Sequence, residues 1–214
     1  MKRKITITLL SCAAMAAFTP SLHAATSLLD TTSASLNSSG GIGFGGLAFS
    51  TGSQAYSLAS FQFAPVNPFG SGDASLTFRL YSADASTHLP TSTSALASET
   101  FSNILFDVSA TPTQVTFTNN FTLEANSSYV LELSATGFED NALATTNTFP
   151  ANVSVGTSGV TYHGYTWNFG SWSEPAAGLA PWVKLTGTAV PEPSAFVMLG
   201  LGAIGLVARR RRVA

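Results

Sequence analysis

In the middle of this chain hydrophobic residues return at every second position, in one run after another. Within Ala74-Ser75-Leu76-Thr77-Phe78-Arg79-Leu80-Tyr81, the residues Leu76, Phe78 and Leu80 fall on one face. Tyr129, Leu131 and Leu133 do the same, with Val130 and Glu132 opposite. Gln114-Val115-Thr116-Phe117-Thr118 alternates likewise. Side chains point to opposite faces along a strand, so this period describes half-buried β-strands. Further strands are expected at Ile42 to Ser50, Ala55 to Ala64, Thr100 to Val108, Asn152 to Val155, Val160 to Phe169 and Trp182 to Thr188. No stretch of ten or more residues carries clear helical periodicity. Clusters of proline, glycine, asparagine and serine at 65–73, 119–120, 124–128 and 173–181 read as turns and loops.

Composition supports the same fold class. Residues 26–189 hold 48 serines and threonines in 164 positions, with only twelve charges. Small, polar and β-branched residues at that density suit sheet and turn better than helix. Nine or ten strands in one unit point to an all-β fold, an antiparallel β-sandwich of jelly-roll type. A disordered Ser/Thr-rich stalk is the alternative. The fifteen phenylalanines of the chain argue against it, because disordered segments are poor in aromatics. No internal repeat is evident, which disfavours a solenoid or propeller.

The charges are segregated. Lys2, Arg3 and Lys4 open the chain, Arg209, Arg210, Arg211 and Arg212 close it, and only Arg79 and Lys184 lie between. Ten of the eleven acidic residues fall between 25 and 189, so two cations against ten anions leave this region at −8. A nucleic-acid-binding domain needs the opposite balance to neutralise phosphates.

The basic start, the apolar stretch Ile5 to Phe18 and the small-residue exit at His23-Ala24-Ala25 are the parts of a secretory signal peptide. Cleavage is expected after Ala24, with Ala25 as the second choice. The stretch is short for a membrane span, and Pro20 ends it. The one cysteine, Cys12, lies inside this segment. Cleavage would leave a mature chain with no disulfide, no thiolate nucleophile and no cysteine metal site.

The C-terminal end has three blocks in order. They are Val190-Pro191-Glu192-Pro193, the uncharged apolar run Ser194 to Ala208, and Arg209 to Arg212. Fifteen residues make a helix of roughly 22 Å at about 1.5 Å per residue, short for a permanent span. The arginines favour the cytoplasmic side, which puts the body outside. The prolines favour an extended, accessible peptide, the form a protease or transpeptidase binds.

This three-block tail resembles the PEP-CTERM sorting signal of exported bacterial proteins, on Val190, Pro191, Glu192, Pro193, the glycine-bearing apolar run and the arginine cluster. The resemblance implies recognition by exosortase, a membrane enzyme thought to act as a cysteine transpeptidase. It also implies a Gram-negative host that makes extracellular polysaccharide. The body is similar to the choice-of-anchor group of exported domains, on Phe121 to Leu133 and Trp182 to Ala189. No catalytic residue set carries over from that group.

Chemistry-bearing residues in the body are sparse. His88 and His163 remain once His23 leaves with the leader. No Gly-x-Ser-x-Gly turn, His-Glu-x-x-His run or phosphate-binding loop is present. Glu124 with Glu132, and the adjacent Glu139-Asp140, are the available carboxylate pairs for a glycosidase. Glu139-Asp140-Asn141 and Gly70-Ser71-Gly72-Asp73 lack the ligand spacing of a calcium loop. Tyr162, Tyr165, Trp167, Phe169, Trp172 and Trp182 crowd into 21 residues. If Tyr165, Trp167 and Phe169 share an exposed strand face, they form a platform for stacking sugar rings; if that face turns inward, they are core.

The organisation expected is a signal peptide at 1–24, an exported domain at 25–189 and a sorting tail at 190–214 that forms a short transmembrane helix. Signal peptidase and exosortase are the processing partners, and the membrane is engaged transiently. The expected role is a non-enzymatic, structural or adhesive component of the cell surface or polysaccharide matrix, with no cofactor or metal. A carbohydrate-binding module is the alternative. A secreted hydrolase is a further one, and it requires convergent acids or a serine hydrogen-bonded to His88 or His163.

Overall fold

The computed structural model describes residues 24–34, 36–43, 45–67, 69–119, 121–136, 142–146, 153–154, 158–168, 171–176 and 180–191. The leader before Ala24 and the tail from Glu192 onward, with its expected helix and Arg209 to Arg212, lie outside these residues, as does Phe169. Among the described residues no helix is long and apolar enough to cross a membrane.

Every regular element among the described residues is a strand. In chain order they are β1 Thr26–Asp30, β2 Leu36–Gly43, β3 Gly46–Ser50, β4 Tyr56–Phe63, β5 Pro65–Val66, β6 Gly72–Ala83 and β7 Ala97–Phe106. Then follow β8 Thr113–Thr116, β9 Thr122–Leu123, β10 Ser128–Thr136, β11 Ala142–Thr146, β12 Val153–Ser154, β13 Thr161–Thr166 and β14 Val183–Ala189. One sheet runs β1-β14-β4, with β8 and β9 both paired to the far side of β4. A second runs β12-β13-β3-β10-β6-β7, and a small third runs β2-β11-β5. The paired strands are antiparallel throughout. The fold is therefore all-β, as the alternation requires.

The two large sheets face each other across one apolar core. Leu76, Phe78 and Leu80 of β6 and Tyr129, Leu131 and Leu133 of β10 all enter it, as their period predicts. From the other sheet come Tyr56, Leu58, Phe61 and Phe63 of β4, and Val183 and Leu185 of β14. Phe78 stands at the centre. Phe61 lies 5.0 Å from it, Phe117 5.4 Å and Phe101 5.7 Å, all edge-on. Each buried phenylalanine contributes about 1.5–3 kcal/mol by leaving water, and edge-on ring pairs add to that.

Bulges explain where the two-residue period slips. Thr186 pairs Ser60 while Gly187 pairs Leu58, so Ala59 is an extra residue on β4. That residue moves the inward set from Tyr56 and Leu58 to Phe61 and Phe63. A Cβ on Gly187 would approach Leu28 Cδ1 to 2.8 Å and the Ser57 carbonyl oxygen to 3.0 Å, so a side chain has no room there.

The strand expected at Ile42 to Ser50 is two strands in different sheets, β2 and β3. Gly45 and Gly46 sit at the break, where the backbone of Thr166 and the side chain of Val130 approach too closely for any Cβ. The turn cluster at 65–73 contains β5 and the first residues of β6.

Candidate functional site

The junction between the body and the tail is built from strand register. β14 lies between β1 and β4, so it is a central strand. Its pairing with β4 runs to Ala189 opposite Tyr56. Val190 adds one more rung, its N–H donating to the Ala55 carbonyl at 2.9 Å. The Gln54 side-chain amide then donates to the Val190 carbonyl at 2.8 Å and to the Ala55 carbonyl at 3.1 Å. Pro191, the next residue, has no N–H and is exposed. β1 begins beside the end of β14, with Thr26 opposite Gly187, so both ends of the body emerge at one pole.

Tyr165 and Trp167 do not form the exposed stripe considered for them with Phe169, which lies outside the described residues. Tyr165 is fully buried in the core, and burial pushes its phenol far above the ordinary range. Trp167 is partly covered and packs edge-on against Tyr165 at 5.5 Å. The cause is a bulge in β13, where pairing to β3 jumps between Tyr162 and Gly164. Gly164 takes φ 137°, and the slip turns both Tyr162 and Tyr165 inward. The following segment folds back over the outer face, with Asn168 bridged to Trp172 and Tyr165 to Ala176.

Beneath that segment lies a polar network. Glu132 is only 7 % exposed, although it points away from the core. It accepts from the Tyr81 hydroxyl at 3.0 Å, from Arg79 at 3.3 Å and from the Asn168 amide at 3.3 Å. Arg79 also donates to Ser134 Oγ at 3.0 Å. Burial, then the Glu132 charge, raises the Tyr81 pKa. Trp172 meets the Tyr81 ring edge-on at 5.8 Å. The second cation of the body, Lys184, is 2.9 Å from Asp30.

On the same outer face the structure brings together Ser50, His163 and His88. Ser50 Oγ is 2.9 Å from His163 Nε2, the contact that the hydrolase alternative requires. The two imidazoles stack 3.6 Å apart at 7°. Desolvation, then the facing His88, pushes His163 down to about 4. So weak a base takes a serine proton poorly. Two parallel rings direct their lone pairs within separate planes, so they do not converge on one ion. Among the described residues no group of three or more His, Cys, Asp or Glu is placed to hold a metal.

An open pocket of about 430 Å³ lies at the far end of this sheet, lined by Asp73, Ala74, Ser75, Asn103 and Thr136. Here β7 carries a bulge, and Asn103 takes φ 59°. Of the carboxylate pairs considered, Glu124 is exposed near β9 and Glu132 is consumed by its network, while Glu139-Asp140 lie outside the described residues.

Sequence left the partners in three of these contacts unnamed. Nothing marks Gln54 as different from any other loop glutamine. Ser50 is one hydroxyl among many. The Arg79–Glu132 pair had a partial signal, because both fall on the polar side of their alternating strands, opposite the apolar sets of β6 and β10.

The family model described as the PEP-CTERM protein-sorting motif matches residues 189–212, a span that includes Val190 to Pro193 and Arg209 to Arg212. No curated protein and no solved structure matches the chain. The chain thus carries a PEP-CTERM sorting motif that begins at the final residue of β14, which marks an exported protein sorted by exosortase.

Proposed function

We propose that this protein is a non-enzymatic surface or matrix component whose body is a jelly-roll β-sandwich held outside the cell. The strand order supports the jelly roll. Successive main strands alternate between sheets as β1, β3, β4, then β6 and β7, then β8 and β9, β10 and β14, giving neighbours β1-β14-β4-β8 against β3-β10-β6-β7. With β12 and β13 extending the second sheet beyond β3, that order supports a double Greek-key reading. The shared pole supports the topology at the membrane. A leader at 1–24 and a tail at 190–214 would both leave from the same end, so the body can fold while either segment is still inserted.

The observation that carries the role is the sorting motif abutting a charge-poor, hydroxyl-covered body. Thr77 Oγ1 meets Thr100 Oγ1 at 2.9 Å and Ser82 Oγ meets Thr91 Oγ1 at 2.9 Å on exposed faces. A surface of neutral hydroxyls suits residence in hydrated polysaccharide. The test is co-sedimentation of the purified body, residues 25–190, with the host's extracellular polysaccharide. Retention without any shortening of the polymer is expected. A body that stays wholly in the supernatant, or that depolymerises the polymer, would overturn the role. The pocket at Asp73 and Asn103 favours a narrower reading as a carbohydrate-binding module, in place of the Tyr165 face. Asp73→Ala would then abolish retention.

A further inference from the structure

The sorting motif has no linker in front of it. Val190, its first residue, is held at both backbone groups by the body, through the Ala55 carbonyl at 2.9 Å and the Gln54 amide at 2.8 Å. An enzyme that cleaves a peptide bond needs several extended residues on each side of it, with their N–H and C=O groups free to pair in its cleft. Here everything up to Val190 is already spent in a sheet. Pro191 is the first exposed residue beyond the last rung. Ala189 and Thr188 pair with β4 alone, and from Gly187 back releasing residues also strips rungs from β1.

We propose that Gln54 is a positioning residue for processing of this chain: it locks Val190 into the sheet as the last body residue and so confines cleavage to the C-terminal side of Pro191. This inference rests on exosortase processing of the tail. Gln54 acts through Val190 and touches no reacting atom. The β4 ladder takes the Val190 N–H as its last rung, and the glutamine adds the bond to the Val190 carbonyl. Fraying of the strand end is thereby suppressed at the place where a protease would profit from it.

The experiment expresses the full chain in an exosortase-bearing host and reads the C-terminus of the processed product by intact mass. The native chain should give one product, ending at or beyond Pro191. Gln54→Glu keeps the size but presents carboxylate oxygens to the Val190 carbonyl, and Gln54→Ala removes the group. Both should add products ending at Val190 or Ala189, while the melting temperature of the body stays within a few degrees. Gln54→Asn serves as a shorter donor that partly restores the single product. Inserting four Gly/Ser residues between Val190 and Pro191 should make the terminus insensitive to Gln54. A unique terminus unchanged in both Gln54→Glu and Gln54→Ala, or a native product already ending upstream of Val190, would overturn the clamp. Replacing Pro191, Glu192 and Pro193 by alanine separates the two ideas. Loss of processing there leaves the sorting account standing whatever Gln54 does; unaltered processing removes both.

Discussion

The pairing of Val183–Ala189 with Tyr56–Phe63 ends at Val190, and the Gln54 amide holds that last residue at its carbonyl. One side chain thus fastens the end of the fold at the start of the signal. Other single residues have comparable reach. Glu132 holds Arg79, Tyr81 and Asn168 at once. Glu132→Ala should cost about 1–3 kcal/mol, mainly by leaving the buried Tyr81 hydroxyl unpaired, and urea unfolding reads it. Because His163 titrates near 4 in the fold and near 6.5 when unfolded, the unfolded chain binds more protons between those values. Stability should therefore fall as pH drops from about 6.5 to about 4, and His163→Asn should flatten that limb. Asp30 adds a lower limb. Burial raises its pKa, but bonds from Thr32 and Lys184 outweigh this and hold it low, so its contribution is lost only below the ordinary carboxylate range. Little of this was legible in sequence. Alternation tells which side chains share a face, not which face is inside. At β13 the Gly164 bulge broke the phase, and Tyr165 went into the core instead of onto a sugar platform.

Among the elements, β6 and β10 were the clearest in sequence, because each carries three large apolar residues in phase, whereas β4 has two pairs split by its bulge and β14 has only Val183 and Leu185. These four are also the strands that meet across the core. Phe78 on β6 contacts rings from β4, from β7 and from the segment after β8. Phe78→Ala should cost about 3–5 kcal/mol, through lost burial plus a cavity. Phe69→Ala, at a residue 81 % exposed, should change stability by less than about 0.5 kcal/mol. Equal effects in chemical denaturation would contradict the packing. The strands that sequence left out have no such signature. β11 reads Ala-Leu-Ala-Thr-Thr, with Leu143 its one large apolar residue, and most of β2, Leu-Asn-Ser-Ser-Gly-Gly-Ile-Gly, precedes the strand expected from Ile42. β5 and β9 are two residues long and exist through their neighbours.

For the whole molecule, composition and period were enough for an all-β body, while the order of strands within each sheet was not readable at all. Pairings such as β1 with β14 join residues some 160 positions apart, and only packing selects them. That closure makes a prediction. A chain ending at 182 loses β14, the strand that joins β1 to β4 among the described residues. It should fail to fold cooperatively, whereas a chain ending at Val190 should fold. Thermal melting by circular dichroism distinguishes the two. The closure also places the ends of the body at one pole, next to the sorting motif, with no slack between fold and signal.

The central claim is that residues 189–212 are a sorting signal abutting a folded body. Intact-mass analysis of the protein recovered from the surface and medium of an exosortase-bearing host tests it most directly. The account predicts a chain that ends beside the prolines, lacks Arg209 to Arg212, and is no longer produced when Pro191, Glu192 and Pro193 are changed to alanine. A chain recovered in the membrane with its arginines intact, indifferent to those substitutions, would contradict it.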